Sequence, residues 1–486
     1  MSSAIEGLEP QLLWKHFAAL SRIPRCSKNE AAAAQYVLDT ARRLGLQARQ
    51  DAAGNVLVEK PAAPGREGGP TVCLQSHLDM VCEKNADKVH DFTKDPIELV
   101  RDGEALRANG TTLGGDNGVG VAAALAVAED RSLEHGPLEL LFTTDEETGL
   151  TGAQRLEPGV LRSRVLLNLD SEDEGEIYVG CAGGIDTQGT WNVAREAARP
   201  NLVPLELRVT GLRGGHSGVE IDKGRGNALK IANRVLRALA DEAGARLVEV
   251  HGGNKRNAIP REAFATFGVP RSRLARARKL VAKWEGIVRD ELGPVEPDLK
   301  VAVGEAAPAG GVAVLKRKHQ KQILQTLSAL PHGVVKMSAA IPGLVETSTN
   351  VAVIATEGDT VSLATSQRSS VASEIQEIAQ TVRTVFEMGG AAVTQGDGYP
   401  GWKPNVQSPT LEKAIATYAS LYGKEPAVKA IHAGLECGLI GEKYPGLDMI
   451  SFGPTVKDVH SPEEKILVDT VPRFWSFLAA LLKAVA

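Results

Sequence analysis

Three runs of this sequence are apolar almost throughout, and each stops at a histidine or an acid. The first is Thr71-Val-Cys-Leu-Gln-Ser-His77-Leu-Asp79. The second is Pro137–Thr144, followed by Asp145-Glu146-Glu147, and the third is Arg164-Val-Leu-Leu-Asn-Leu-Asp170. Short apolar runs separated by helical patterns predict strands buried on both faces, hence an α/β layer sandwich around a buried sheet. Open sheets of that kind place ligands at the C-terminal ends of their strands, where these acids lie. On a strand, residues i and i+2 share a side. Asp79 can therefore hold one imidazole nitrogen of His77 and leave the other for a metal.

The helical pattern at residues 10–21 precedes the first run, and Ser27 with Glu30 reads as a capping box opening a helix to about Leu44. Gly110–Gly118 leads into an alanine-rich helix to about residue 129. From Gly183-Gly-Ile-Asp186 the pattern changes. Leu205–Thr210 alternates as a strand with one wet face does, and strands and helices recur to residue 395 as an α+β arrangement, read as two related halves. Gly398-Tyr-Pro-Gly-Trp-Lys-Pro404 is a rigid linker, after which helix 408–422, strand Asp448–Phe452 and helix 469–485 read as α/β again. The expected architecture is a three-layer catalytic domain with a mixed sheet (1–186 and 399–486), interrupted by a large α+β lid domain (187–398).

A chain of 486 residues exceeds one typical core, and its net charge of −5 makes nucleic acid an unsuited partner. No stretch has the apolar length of a membrane span, and Met1–Gly7 has no signal-like pattern. Five scattered cysteines without a Cys-x-x-Cys pair argue against a disulfide framework or a thiolate zinc site and favour a reducing cytoplasm.

Three short motifs are decoys. Gly118-Val-Gly-Val-Ala-Ala123 matches a dinucleotide fingerprint but follows no apolar strand. Asp170–Gly175 begins like a calcium loop whose twelfth position is Cys181. Gly215-His216-Ser217-Gly218 lacks the spacing of a serine nucleophile elbow. The constellation is stronger than any of these. His77, Asp116, Glu146, Glu147, Asp170 and His460 lie at strand ends or in the loops that follow, and of the neighbouring glutamates one can bind a metal while the other faces a metal-held water. Two histidines with three carboxylates match a pair of zinc ions with mixed N/O ligands.

His77-Leu-Asp79, Gly115-Asp116-Asn-Gly118, Asp145-Glu-Glu-Thr-Gly149, Asp170-Ser and His460-Ser-Pro, in this order, resemble the di-zinc M20 metallopeptidases. The likeness is nearest to the bacterial aminoacyl-histidine dipeptidases. Val89–Asp95, Gly180–Asp186, Asn257–Ala265 and His432–Gly438 extend it along nearly the whole chain. The resemblance implies that Asp116 bridges two zinc ions, with His77 and Asp170 completing one and Glu147 and His460 the other. Cobalt or manganese could fill the same sites. Asp79 would orient His77, and Glu146 would be the general base. In the lid, His216 would stabilise the oxyanion, and Asn257 and Arg368 would bind substrate, with Glu436 as a further pocket group.

The implied function is zinc-dependent hydrolysis of unblocked dipeptides, Xaa-His dipeptides such as β-alanyl-histidine above all. The partner is thus a small peptide, with a homodimer left open. An N-acyl amino acid deacylase of the same fold and a non-catalytic binding protein are the rivals. One departure from the family pattern is Asp145, a third acid expected to raise the Glu146 pKa by like-charge repulsion. It also leaves open a one-residue shift, with Asp145 as base and Glu146 as ligand.

Overall fold

The computed structural model describes residues 3–306 and 313–486, so Met1 and Ser2 of the N-terminal stretch read above lie outside it. The chain divides into two compact units: Met1–Cys181 with Trp402–Ala430 and Leu435–Ala486, and Ala182–Gly401 with Ile431–Gly434.

The first unit is built on an eight-stranded mixed sheet. Its strands run in the order Gln47–Gln50, Val56–Lys60, Leu138–Thr143, Val72–His77, Val165–Asn168, Asp448–Ser451, Glu176–Cys181 and Ala427–Ile431. The central pairs are parallel: Val72–His77 lies between Leu138–Thr143 and Val165–Asn168, which in turn pairs with Asp448–Ser451. Every residue of Val72–His77 and Leu138–Thr143 is buried. Successive side chains point to opposite faces, so both faces of these strands are covered, as unbroken apolar runs require. Helix Gly115–Glu129 packs on Val72–His77, and Pro409–Tyr422 packs on Asp448–Ser451. A separate four-stranded sheet, formed by Val456–Lys457, Lys465–Leu467, Ala105–Ala108 and Leu99–Asp102, was not legible in the sequence.

The second unit carries a nine-stranded sheet whose recorded pairings are antiparallel. A four-stranded group and a five-stranded one meet where Gly252 pairs with Ile354. In Leu202–Thr210, Leu205, Leu207 and Val209 are buried while Arg208 is exposed. That alternation suits a sheet with helices on one face. Helices Ala228–Ala243 and Leu274–Leu292 supply the cover for the first group and Ala372–Met388 for the second.

Two expectations are corrected here. Ser27 and Glu30 do not form a capping box. Helix Ala31–Leu44 begins after Glu30 without a side-chain cap; the Glu30 carboxylate instead accepts from the Lys28 and Asp145 amides, and the Ser27 hydroxyl donates to Asp79. Partners distant in sequence have taken both groups away from the helix end. The cysteines are also not all free. Cys26 and Cys82 form a disulfide with Cα atoms 5.7 Å apart, while Cys73, Cys181 and Cys437 are buried thiols. A separation of 56 residues gives no spacing signal. The two cysteines meet because residues 25–26 run beside Met80, which donates its amide to the Arg25 carbonyl.

Candidate metal centre

The C-terminal ends of the parallel strands converge on one cluster. His77 ends its strand, with only 1% of its side chain exposed. Asp170 lies two residues beyond Asn168, and Glu146 and Glu147 open a one-turn helix just after Leu138–Thr143. Between that strand and that helix, Asp145 adopts a left-handed φ of 53°, which turns the chain sharply. His460 also sits at positive φ, 61°, in the loop between Val456–Lys457 and Lys465–Leu467. Asp116 lies near the start of helix Gly115–Glu129 with non-helical dihedrals, and the Asp116–Asn117 peptide is cis.

Asp116 is the centre of the cluster. Its Oδ1 lies 3.1 Å from His77 Nε2, and its Oδ2 lies 3.3 Å from His460 Nε2. His77 Nε2 also meets Asp170 Oδ1 at 3.3 Å, and His460 Nε2 meets Glu147 Oε2 at 3.0 Å. Two ligand sets therefore share one carboxylate: His77, Asp116 and Asp170, and Asp116, Glu147 and His460. Glu146 groups with His77 and Glu147.

Asp79 supports this arrangement from behind. Its Oδ1 faces His77 Nδ1 at 3.3 Å and accepts from the Glu146 amide at 3.0 Å. Its Oδ2 accepts from the Glu147 amide at 3.1 Å and the Ser27 hydroxyl at 2.8 Å. One carboxylate thus serves the imidazole and also caps the helix start that carries both glutamates. Burial would push the Asp79 carboxyl up, but the His77 contact and these donors hold it at about 2.

The electrostatics fit bound cations. Burial pushes Asp170 up to about 7, with the charges of Asp116 and Glu147 adding to it. The carboxylates of Asp116 and Glu147 push His460 up to about 11. Burial acts against protonation of His77, yet Asp170, Asp116 and Asp79 raise its pKa well above the ordinary value. Excess negative charge thus favours protonated imidazoles, and a divalent ion would supply that positive charge in place of the protons. The Glu147 Oε1 atom, buried and without a hydrogen-bond partner, is a donor left over for such an ion. A third group, Glu30, Asp79 and Asp145, is close enough to hold a metal, but the chain's own N–H and O–H donors engage its oxygens.

The expectation for Asp145 is corrected. The Glu146 carboxyl is raised well above its usual range, by burial first and then by Asp170, Glu147 and Glu436, with His77 opposing. Asp145 is not among the leading causes. Its carboxylate turns away to accept from the hydroxyls of Thr148 and Thr151. It is Glu146 that groups with His77.

Glu436 is fully buried at the first residue of helix Glu436–Lys443. Its Oε2 accepts from Gln75 Nε2 and Thr143 Oγ1, both at 2.6 Å, and its Oε1 has no partner. Gln75 is held in turn by Asn168, which donates to Gln75 Oε1 at 2.5 Å. Sequence reasoning missed these supports. The only signal was the presence of polar Gln75 and Asn168 inside otherwise apolar strands.

The remaining predicted residues belong to the second unit. His216 pairs with Ala258 in a two-residue bridge that begins at Gly215, and the Ser217 amide bonds the Asn257 carbonyl. His216 Nδ1 accepts from the Gly218 and Val219 amides, both at 3.2 Å, which leaves the ring proton on Nε2. His216 and Asn257 line a cavity of about 730 Å³ with Arg213, His251 and Arg261. Arg368, on strand Thr360–Ser369, donates to the Tyr399 hydroxyl at 3.0 Å. His432 is buried with its Nε2 2.7 Å from the Ser348 hydroxyl.

Comparison with known proteins agrees with this picture. The chain is 42% identical over 483 residues to the cytosol non-specific dipeptidase of Escherichia coli (strain K12), covering 99% of each. It superposes on the aminoacylhistidine dipeptidase of Vibrio alginolyticus with a TM-score of 0.90 and 45% identity, over 100% of this chain and 98% of that one. A tripeptidase of Staphylococcus aureus shares the fold at a TM-score of 0.57 and 17% identity, over 98% and 99% of the two chains. Residues 73–484 match the model of peptidase family M20/M25/M40, and the chain belongs to that family.

Proposed function

We propose that this M20-family enzyme is a zinc-dependent dipeptidase that hydrolyses unblocked dipeptides, Xaa-His dipeptides among its preferred substrates. The observation that carries the reading is the sharing of Asp116, each of whose oxygens is met by a different imidazole from a different ligand set. His77 and Asp170 would hold one zinc ion, Glu147 and His460 the second, and Asp116 both. Bound zinc supplies Lewis acidity, lowering the pKa of water toward about 7 and polarising a peptide carbonyl.

The chain's own groups move the proton. Glu146, its carboxyl raised by burial and by neighbouring acids, takes a proton from the attacking water and delivers it to the leaving amine. Asp79 keeps His77 and Glu146 in register through the contacts described above. In the second unit, the Nε2–H of His216 is a neutral donor suited to a developing oxyanion. Asn257 and Arg368 are suited to the substrate carboxylate, and Glu436 is a further pocket group that acts through its buried charge on Glu146. The two dipeptidase relatives support the substrate class, though one is named non-specific and the other for aminoacyl-histidine.

We place the enzyme in the cytosol, on the name of the E. coli relative. No helix among the described residues is long and apolar enough to cross a membrane. The Cys26–Cys82 disulfide is the observation that weighs against a reducing compartment.

The test is hydrolysis of β-Ala-His, Gly-His, other dipeptides and N-acetyl amino acids by wild type and Glu146→Ala, with bound zinc quantified. Turnover of dipeptides, lost in the variant at unchanged zinc content, is expected. Loss of a zinc ion from the variant would make Glu146 a ligand. Cleavage of acetylated amino acids alone would make the enzyme a deacylase.

A further inference from the structure

The loop Leu113–Asp116 carries the shared carboxylate, and two buried charged residues outside the ligand sets grip it from different directions. Glu464, 2% exposed, accepts from four consecutive amides of this loop. Its Oε2 takes the Leu113 and Gly114 N–H at 2.7 and 3.0 Å, and its Oε1 takes those of Gly115 and Asp116 at 2.7 and 3.2 Å. No helical or sheet partner claims these amides, and a buried carboxylate satisfies all four. Gly115 is small because a Cβ there would come within 3.2 Å of Glu464 Oε1 and 2.9 Å of Ile466 Cγ1.

Arg25, 3% exposed, grips the same loop through its carbonyl. Its Nη2 donates to the Gly114 carbonyl at 2.5 Å, while Nη1 donates to the carbonyls of Leu78 and Asp79 at 2.9 and 2.7 Å. A Cβ on Gly114, whose φ is +70°, would come within 2.5 Å of Arg25 Nη2. One planar guanidinium therefore ties the end of the His77 strand to the Asp116 loop. A lysine, with a single point of charge, cannot reproduce that fork.

We infer that Arg25 and Glu464 are positioning residues that set the placement of the Asp116 carboxylate relative to His77, and so govern metal affinity and turnover together. The inference rests on the proposed reading of Asp116 as the shared ligand. Through Asp116 the brace touches both ligand sets, although neither residue touches a metal or the substrate.

The experiment uses the full-length chain loaded with zinc, in wild type, Glu464→Gln, Arg25→Lys and Asp116→Asn. Zinc affinity is read by competition with a chromophoric chelator, and kcat and KM on a dipeptide are read at saturating zinc. Glu464→Gln turns an amide NH2 toward donor amides, and Arg25→Lys unties one of the two segments. Both are expected to weaken zinc binding by about 10- to 100-fold and to lower kcat with KM within about twofold. A merely structural role would lower the unfolding temperature while leaving zinc affinity and kcat at 25 °C within about twofold of wild type, and that result overturns the inference. Failure of both variants to fold overturns it as well, in favour of a structural role. If Asp116→Asn itself keeps full zinc binding, the fault lies in the reading of Asp116 and not in the brace.

Discussion

At the scale of single residues, the cluster's chemistry is set by which carboxyls are free to ionise. Glu146 must be deprotonated to act as a base, and burial and neighbouring acids raise its pKa, so activity is lost as pH falls through that raised value. Glu436 is one of the raising charges. Replacing it by glutamine removes a negative neighbour and favours the ionised base, so the acid limb of kcat/KM should move to lower pH. A pH–rate profile of Glu436→Gln with an unmoved or upward-shifted limb would refute this. Asp79→Asn is the complementary case. An amide at that position cannot accept from two backbone amides and a serine hydroxyl while facing His77. A loss of about 10- to 100-fold in zinc affinity or activity is expected, read by chelator competition and steady-state rates. Ligand candidates at strand ends were legible because apolar runs that stop at acids are rare in a solvated surface pattern. Arg25, Glu464 and Gln75 were not, because their partners are backbone groups or buried side chains more than 50 residues away.

At the scale of elements, one histidine ties three helices together. His16 on Gln11–Leu20 is fully buried, with Nδ1 2.7 Å from the Tyr36 hydroxyl on Ala31–Leu44 and Nε2 3.1 Å from Glu129 at the end of Gly115–Glu129. Burial lowers its pKa to about 4, with Glu129 opposing. The folded value lies below the unfolded one of about 6.5, so the unfolded chain binds the proton first. Its contribution to stability is intact above pH 6.5 and is lost as pH falls toward 4. Between pH 7 and 5 this amounts to about 2 kcal/mol. Urea denaturation should show wild type losing that much more stability than His16→Gln over the interval; equal losses would sink the argument. The Cys26–Cys82 link is a second element-scale feature. Removing it frees a loop of some 56 residues, at a cost of about 2 to 4 kcal/mol. Thermal unfolding with and without a dithiol reductant checks this, and an unchanged midpoint would count against it. Periodicity found the long helices and buried strands. It missed the hairpin Leu99–Asp102 and Ala105–Ala108, whose second strand pairs on its other side with Lys465–Leu467, some 360 residues on.

At the scale of the whole molecule, the two units differ in how the chain builds them. The main core of the second unit, from Trp191 to Phe386, comes from one unbroken stretch. A fragment of residues 182–401 should therefore unfold cooperatively by itself, whereas residues 1–181 should not, because their sheet needs Asp448–Ser451 beside Val165–Asn168. Circular dichroism of the two fragments on heating decides the matter. Composition showed where the pattern changes near Gly183 and Pro404, but nothing marks residues 431–434 as part of the second unit. Their membership rests on bonds such as Ala182 N–H to the Ile431 carbonyl and His432 to Ser348. The split first unit also has a consequence for biosynthesis. Ribosomes add about 5–20 residues per second, so Asp448–Ser451, His460 and Glu464 leave the ribosome roughly 15–60 s after Asp170. Throughout that interval the second unit can finish while three apolar strands wait with an open edge, the condition that recruits chaperones and invites aggregation. A ribosome that stops between residues 434 and 448 releases a chain with one completed unit and a sheet that lacks Asp448–Ser451.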